Sequence, residues 1–501
     1  MKKDYISKRI YSVSFFILLA IPAIFAFLKV LSGNIPFWYD PARDLLLAWD
    51  NLGKISLIGP TTGIPGIFYG PFWIWFLSFG LLFSKDPRIP VLVVLTIPYF
   101  IFLPVLLFYK VKLFDRLSIS IVWLLYAFSF APRYGEAPWN PHLASFFMLI
   151  LLFILLEINF EKKGRKNILL VISAGIISGL VLNTHISFGL GSMIATILFF
   201  ILFGYRSVKP TKNIINYLKS QLLTIYFLSG VLLTFTPFLI FESRHGFNQL
   251  KTIFATLSSS VPVVTVKGLS KEQIIFQFYH QLSELFHSSI IFTLLIIIGI
   301  GIIIWQWYKK QLVLDLLEKK LLVYSILLTI CILTIYLSSK NPVWSYHFIG
   351  VEVIGIFFIL FLLKKSLPFR YILACITIYV ICTQIPGLFN KEQQGNTLNK
   401  EITITKLIIA DAKESDYSVF AYSPSIYTYE YSYLFRWLAK KDIPYDPGSQ
   451  NKDKNNVFLI LPSSMKAKEK DFIEYYTPQA LYQSAQSWQI GDRIVGKRTR
   501  K

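Results

Sequence analysis

Residues 10–31, IYSVSFFILLAIPAIFAFLKVL, are an apolar run set behind four positive charges, Lys2, Lys3, Lys8 and Arg9. Wound as a helix, a run of this size is about 33 Å long, enough to cross a hydrocarbon core of roughly 30 Å. It is too long for a signal-peptide core and lacks a small-residue cleavage site, so it reads as an uncleaved first span. Positive residues in front of a span hold that end on the cytoplasmic side. The N-terminus is therefore expected inside, and the following loop, 32–65, outside.

Runs of the same kind recur along the 501 residues. Hydrophobic residues make up 54% of the chain and charged ones 16%, against roughly 25% charged in a soluble domain. Barrel strands would alternate apolar and polar, whereas these blocks run continuously apolar, so they are helices. The expected fold is a polytopic all-α membrane protein of about 11 transmembrane helices over residues 1–389. From about residue 391 the pattern changes. Segments 403–413 and 429–441 have helical spacing, 417–422 and 456–462 read as buried strands, and 448–455 is a polar loop. Residues 390–501 are thus expected to form a small α/β domain outside the membrane.

The net charge of +22 does not point to nucleic acid. Lys and Arg crowd the short loops 157–167, 204–220, 309–320 and 364–370, and are sparse in 131–141, 183–187, 241–289 and 337–345. That alternation assigns the first set to the cytoplasm and the second to the outside of a cell membrane, with everything after about residue 386. The basic end, Lys497, Arg498, Arg500 and Lys501, is expected to be a solvated tail. One stretch resists. Between the outer loops 32–65 and 131–141 lie three apolar segments, 66–83, 89–109 and 117–131, although two outer loops require an even number of crossings. Segment 89–109 carries Pro90, Pro98 and Pro104 and is the one expected not to span fully.

Cys331, Cys375 and Cys382 lie in apolar segments and are expected to be small buried hydrophobes. There is no phosphate-binding glycine loop, no HExxH and no other metal spacing, so neither a cofactor nor a metal is expected. The polar chemistry collects in the outer loops instead. The first reads PFWYDPARDLLLAWD over 36–50, with Asp40, Arg43 and Asp44 behind an aromatic run. Asp40 before Pro41 is either a helix N-cap or a carboxylate placed for base chemistry. The apolar face of that helix, Leu45, Ala48, Trp49 and Leu52, is expected to lie along the membrane surface. Further on, 58–71 reads IGPTTGIPGIFYGP, irregular backbone tolerated at membrane depth only where protein buries it or it lines a cavity. Loop 131–141 adds Arg133, Glu136 and Asn140, and 241–247 adds Glu242, Arg244 and His245. His185 and His347 stand at other outer ends, with His280 and His287 in or beside the outer loops.

YDPARD, IGPTTGIPGIFYGP, the Asn140-Pro141 pair and PFLIFESRHGF together resemble the C-type (GT-C) glycosyltransferases. The nearer resemblance is to bacterial members of glycosyltransferase family 39, the protein O-mannosyltransferase and aminoarabinose-transferase-like group. It is best over about residues 1–250 and looser to 390. The resemblance implies an inverting transfer from a polyprenyl-phosphate sugar donor to a hydroxyl of a glycan, lipid or protein acceptor on the outer face. Asp40 matches the family's catalytic aspartate. Where the family often has a second acid directly after it, this chain has Pro41, with Asp44 following, so either could be the base. Glu136 falls in the loop where the family places its second acid. Arg244, Arg133 and His347 are candidates for gripping the lipid phosphate, and Arg43, Asn140, His185, Glu242 and His245 for lining the site. The competing readings are a transporter or lipid-linked glycan flippase, and a non-catalytic relative. Few charges fall within the spans, whereas transport pathways usually need several.

Overall fold

A computed structural model describes residues 20–109, 114–160, 164–206, 214–258, 267–309, 313–389, 397–413, 415–423, 427–451, 453–464 and 467–501. The N-terminal charges and the start of the first span lie outside the described residues. The first described helix, α1 (Ala20–Leu31), leads to α2 (Tyr39–Asp50) and α3 (Phe72–Phe83). Next come α4 (Arg88–Val91) and α5 (Leu103–Tyr109), joined by two π-helical turns, Leu92–Thr96 and Pro98–Phe102, into one rod. Proline removes a backbone donor and clashes with the preceding turn, and the wider π turns absorb that cost without breaking the rod.

There follow α6 (Arg116–Ser129), α7 (Ala131–Glu136), α8 (His142–Glu157), α9 (Arg165–Thr184), α10 (Ile186–Arg206) and α11 (Ile214–Arg244). Then come α12 (Asn248–Ser258), α13 (Lys271–Ser283), α14 (Ser289–Tyr308), α15 (Leu316–Ser338), α16 (Glu352–Lys365) and α17 (Leu367–Phe389). Among the described residues, eight helical segments are long and apolar enough to cross a membrane. The chain is a multi-pass membrane protein. Its outside is greasy, with Leu232, Ile297 and Ile304 exposed, while α16 is almost wholly enclosed and forms the axis of the bundle.

The bundle has two distinct ends. At one, Lys364 pairs with Asp315 at 2.5 Å, Lys365 with Glu318 at 2.7 Å and Arg370 with Asp115 at 3.2 Å. Buried Lys320 there donates to the carbonyls of Leu156 and Ile158 at the end of α8, capping the negative pole of that helix. At the other end gather the loops assigned to the outside by charge. Lys29 meets Glu136 at 2.6 Å, Asn140 donates to the Thr184 carbonyl and His185 meets the Tyr346 carbonyl.

Helix α3 corrects the expected crossing pattern. Trp73 donates to Asp44, Ser78 to the Ala48 carbonyl, and Lys85 sits 5.5 Å over the Trp49 ring. Beyond α3, Arg88 donates to the Leu31 carbonyl and Tyr433 to that of Lys85. Both ends of α3 therefore stay at the same end of the bundle, and its 12 residues give only about 18 Å of helix. Segment 66–83, not 89–109, is the one that fails to cross. Pro71 before it and the polar turn 84–87 after it cut the helix short. Nor does α2 lie with its apolar face on lipid. Ala42, Leu45 and Ala48 are buried, between α3 and the C-terminal unit.

That unit comprises α18 (Leu398–Ala412), β1 (Tyr417–Ala421), α19 (Tyr429–Ala439), β2 (Asn456–Pro462), α20 (Ala467–Tyr476), β3 (Tyr482–Ile490) and β4 (Arg493–Arg500). The sheet order is β1-β2-β4-β3, parallel between β1 and β2 and antiparallel elsewhere. The continuous run VFLIL in β2 is buried on both faces. The basic end is not a free tail. It is β4, a central strand, with Val495 buried and Lys497 bonded to Asp411 at 2.7 Å. Its ladder partners are its hairpin neighbour β3 and the more distant β2, so counting charge locally could not reveal it. The unit is tied to the bundle by Leu398 N–H to Ile35 O, by Asn399 N–H to Gly33 O, and by α19 lying on α2. Cys331 is buried as expected, but Cys375 and Cys382 are exposed on α17, where an apolar solvent accepts a small thiol as readily as a core does.

The position of α3 is open to test. In a background with the native cysteines replaced by alanine, Thr61→Cys and Ser84→Cys should react with an impermeant maleimide from the same side of the membrane. Lys319→Cys should react only from the opposite side. Labelling of Ser84→Cys together with Lys319→Cys would mean that α3 crosses.

Candidate active site

Helix α2 sets the site. Its N-cap is Trp38, in extended conformation and with no side-chain cap, so Asp40 lies in the first turn rather than capping it. Asp40, Arg43 and Asp44 fall at i, i+3 and i+4, on one face. Arg43 binds Asp44 Oδ1 through Nε at 2.9 Å and Nη2 at 2.7 Å, leaving Nη1 for Asp40 at 2.8 Å. The other Asp44 oxygen accepts Trp73 Nε1–H at 2.8 Å. Burial lifts the Asp44 carboxyl to about 6 against the pull of Arg43. Burial alone would lower the Arg43 pKa, but Asp44 and Asp40 outweigh it and hold the guanidinium above its usual value. Asp44 is fully enclosed, whereas the Asp40 side chain keeps 29% of its exposure.

Around this triad the outer loops converge. Tyr69, its hydroxyl pushed up to about 12 chiefly by burial, is hydrogen-bonded to the Asn140 side chain and feels the charges of Arg43 and Asp40. Gly70 makes the approach possible, since a Cβ there would overlap the Asn183 side chain. An aromatic chain runs from Trp38 to Trp139 (6.0 Å), to Tyr346 (5.5 Å) and on to His347 (4.3 Å). The Trp344 N–H donates to His347 Nδ1 at 3.2 Å, so neutral His347 carries its proton on Nε2. His185 lies 6.3 Å from His347, ring to ring. Burial, and then His347, push its pKa down to about 3, so it is neutral.

Tyr69, Tyr346 and His347 also line a cavity of about 750 Å³. On one side α11 is locked against α9, where Gly175 and Gly230 bring the two backbones into contact. Its other side, with Leu228, Leu232 and Phe235, faces Leu190 of α10 and Ile335 of α15 across the cavity. Leu190, Leu228, Leu232 and Leu239 are also exposed on the outside of the bundle, so the cavity opens laterally where lipid would be. The hairpin-like segment 59–70 lies over its outer end, with Tyr69 N–H bonded to Pro60 O and Gly59 N–H to Tyr69 O.

The expected site residues divide. Asp40, Arg43, Asp44, Asn140, His185 and His347 belong to one connected cluster. Glu136 is instead paired with Lys29, burial lifting its carboxyl to about 7. Arg133 is exposed and reaches Glu284, and Arg244 and His245 are exposed at the end of α11. Glu242 is fully buried near the end of α11, where it accepts the Leu250 N–H. Tyr69, Tyr346 and Gln249 went unrecognised in the sequence. Tyr69 sits inside the quoted 58–71 stretch and Tyr346 directly before His347, but nothing local distinguishes them from interfacial aromatics. Among the described residues, no group of three or more His, Cys, Asp or Glu is placed to hold a metal ion.

No protein-family model matches the chain, and no curated protein does. Among solved structures, it is similar to the archaeal oligosaccharyltransferase AglB from Archaeoglobus fulgidus, in complex with an inhibitory peptide and a dolichol-phosphate. The TM-score is 0.49 at 13% identity, covering 97% of this chain and 74% of that one. A second structure of the Archaeoglobus fulgidus oligosaccharyltransferase, in complex with Zn and sulfate, gives a TM-score of 0.45 at 12% identity, covering 96% and 72%.

Asp44→Ala should destabilise the protein by about 3–5 kcal/mol, because it strands Arg43 and the Trp73 N–H in a buried setting. Asp40→Asn, which removes only a part-exposed partner, should cost about 1 kcal/mol or less. Thermal unfolding of the two variants in detergent would measure the difference, and equal losses would contradict the division of roles.

Proposed function

We propose that this protein is an integral-membrane glycosyltransferase. It moves a sugar from a polyprenyl-phosphate-linked donor to an acceptor hydroxyl at the outer face, with inversion and with Asp40 as base. The observation that carries this reading is the cavity. It is apolar along α10, α11 and α15, open toward lipid, and polar only at the end that meets Tyr69, Tyr346 and His347 beside Asp40. A ligand fitting such a space has a long hydrocarbon tail and a compact polar head.

In the proposed reaction the acceptor oxygen attacks the anomeric carbon while Asp40 takes its proton. The bond from that carbon to the phosphate oxygen breaks, and polyprenyl phosphate leaves with the electron pair. Phosphate is a good leaving group, so one base suffices. Asp44 is unsuited to the role, because both its oxygens are engaged and enclosed. Asp40 gives one oxygen to Arg43 and remains part-exposed. Arg43, anchored twice on Asp44, fixes Asp40 in place. His347 Nε2–H and the Tyr346 and Tyr69 hydroxyls are the donors placed to meet the phosphate head. The proposed orientation has the N-terminus in the cytoplasm, eleven crossings with α3 excluded, and residues 390–501 as an outer domain above α2.

Asp40→Asn should lower transfer from radiolabelled polyprenyl-phosphate sugar to native membranes by about 10²–10⁴-fold, with expression and melting temperature preserved. Undiminished transfer would remove Asp40 from the role of base.

A further inference from the structure

A second aromatic run starts from the Asp40–Arg43 cluster and has no part in the reaction proposed above. The Arg43 guanidinium, bonded to Asp40, sits 5.7 Å from the centre of the Tyr39 ring. Tyr39 meets Tyr429 of α19 edge-on at 4.9 Å, and Tyr429 stacks on Tyr445 at 4.4 Å with the rings 26° apart. Tyr427 closes the run, standing at 79° to Tyr445 with centroids 5.6 Å apart. None of these four tyrosines lines the cavity, and the run shares no ring with the chain from Trp38 to His347. Tyr427 and Tyr445 keep 39% and 45% of their exposure. The end of the run away from Arg43 is therefore an open corner of two rings that a ligand can reach.

The corner is held in place by its own backbone. The Thr428 N–H and hydroxyl both donate to the Tyr445 carbonyl, at 2.9 and 3.3 Å, fastening the Tyr445 loop to the start of α19. The carboxylates flanking Tyr445 and Tyr429 in the chain are turned elsewhere. Asp446 accepts the Gly448 N–H and the Ser449 hydroxyl, and Glu430 is buried. What the corner offers is ring faces with phenolic hydroxyls at their edges. A pyranose is the matching surface, since its C–H face is apolar and hydroxyls stand around its rim. Tyrosine supplies such contact at low conformational cost. A peptide strand would instead ask for main-chain partners, and here they are spent. The Tyr445 carbonyl takes two bonds from Thr428, and the Thr428 carbonyl takes the Ser432 N–H.

We propose that Tyr427 and Tyr445, continued by Tyr429 and Tyr39, form the shelf that holds the acceptor, and that the acceptor is a neutral sugar chain whose hydroxyl is delivered to Asp40. This rests on the glycosyl-transfer reading above and names the acceptor class for it. Donor and acceptor then come by separate routes, one through the lipid-open cavity and one along the tyrosines, and meet at Asp40 and Arg43.

The test uses the full-length protein in a detergent without a sugar head group, with radiolabelled polyprenyl-phosphate sugar as donor and native membranes as the source of acceptor. Tyr445→Ala and Tyr427→Ala should each raise the membrane concentration giving half-maximal transfer by about tenfold, the scale of one lost ring contact. The donor concentration giving half-maximal transfer should not move. Tyr445→Phe, which keeps the ring, should behave like the wild type. The transferred label should survive both protease and chloroform–methanol extraction. Label lost to either treatment overturns the acceptor class. Wild-type dependence on membranes in both alanine variants, or an equal shift for donor and acceptor, overturns the shelf. If the wild type transfers nothing, saturation-transfer NMR with cellohexaose, chitohexaose and mannohexaose decides. Binding that Tyr445→Ala abolishes supports the shelf while the donor reading fails, and no binding of any of the three overturns the shelf as well.

Discussion

The carboxylate of Asp44, closed off from solvent between Arg43 and Trp73, is the joint on which the rest of the outer face depends. A buried charge is tolerated only when its partners are complete, and here they come from two helices. Arg43 is on α2 itself and Trp73 is on α3. Meeting that requirement lays α3 along α2 instead of across the bilayer, and fixes the direction in which Arg43 presents its remaining N–H groups. On the other side of α2, α19 packs Tyr433 against Phe37 and Trp49, while Arg436 stacks over Trp49 and reaches Asp50. The result is a plate two helices wide, gripped on one side by the C-terminal unit and on the other by the bundle. Asp40 stands at the edge of that plate.

The cavity is the complementary constraint. Glycine contacts bring α9 and α11 together on one side of α11, and its opposite face is left looking across open space at α10 and α15. An apolar space that opens toward lipid and ends in tyrosine and histidine hydrogen-bond donors admits a head-and-tail molecule in one orientation. In the proposed function the tail keeps its hydrocarbon surroundings and the head arrives beside Asp40. The proposed function thus divides binding and proton transfer between two bodies, the helical wall and the α2 plate, which meet at Tyr69 and Asn140.

Much of this was legible in the sequence, because bilayer physics writes itself into long apolar runs and into the placement of Lys and Arg. Strand β2 could be read to the residue, since a run buried on both faces has no alternation to blur it. The cluster of Asp40, Arg43 and Asp44 was legible too, for the i, i+3, i+4 spacing leaves little choice once the helix is granted. Several of the errors depended on partners that the local sequence does not show. The prolines of 89–109 suggested a broken span, but π turns carried the rod through them, while the piece too short to cross proved to be α3, held by Asp44 and Ala48. The basic end looked solvated until β2, β3 and Asp411 supplied its partners. Glu136 looked like a second acid of the site, but Lys29, a charge inside an otherwise apolar first span, claims it.

In the proposed function a polyprenyl-phosphate head comes to rest beside Asp40 with its tail between α10, α11 and α15. The most direct measurement is photocrosslinking with a polyprenyl phosphate that carries a diazirine in its first isoprene units, followed by peptide mapping. The account predicts adducts on residues around Leu190, Leu232 and Ile335, displaced by excess unlabelled polyprenyl phosphate. Displaceable adducts confined to the outer surfaces of α14 and α17, with none in the cavity, would contradict it.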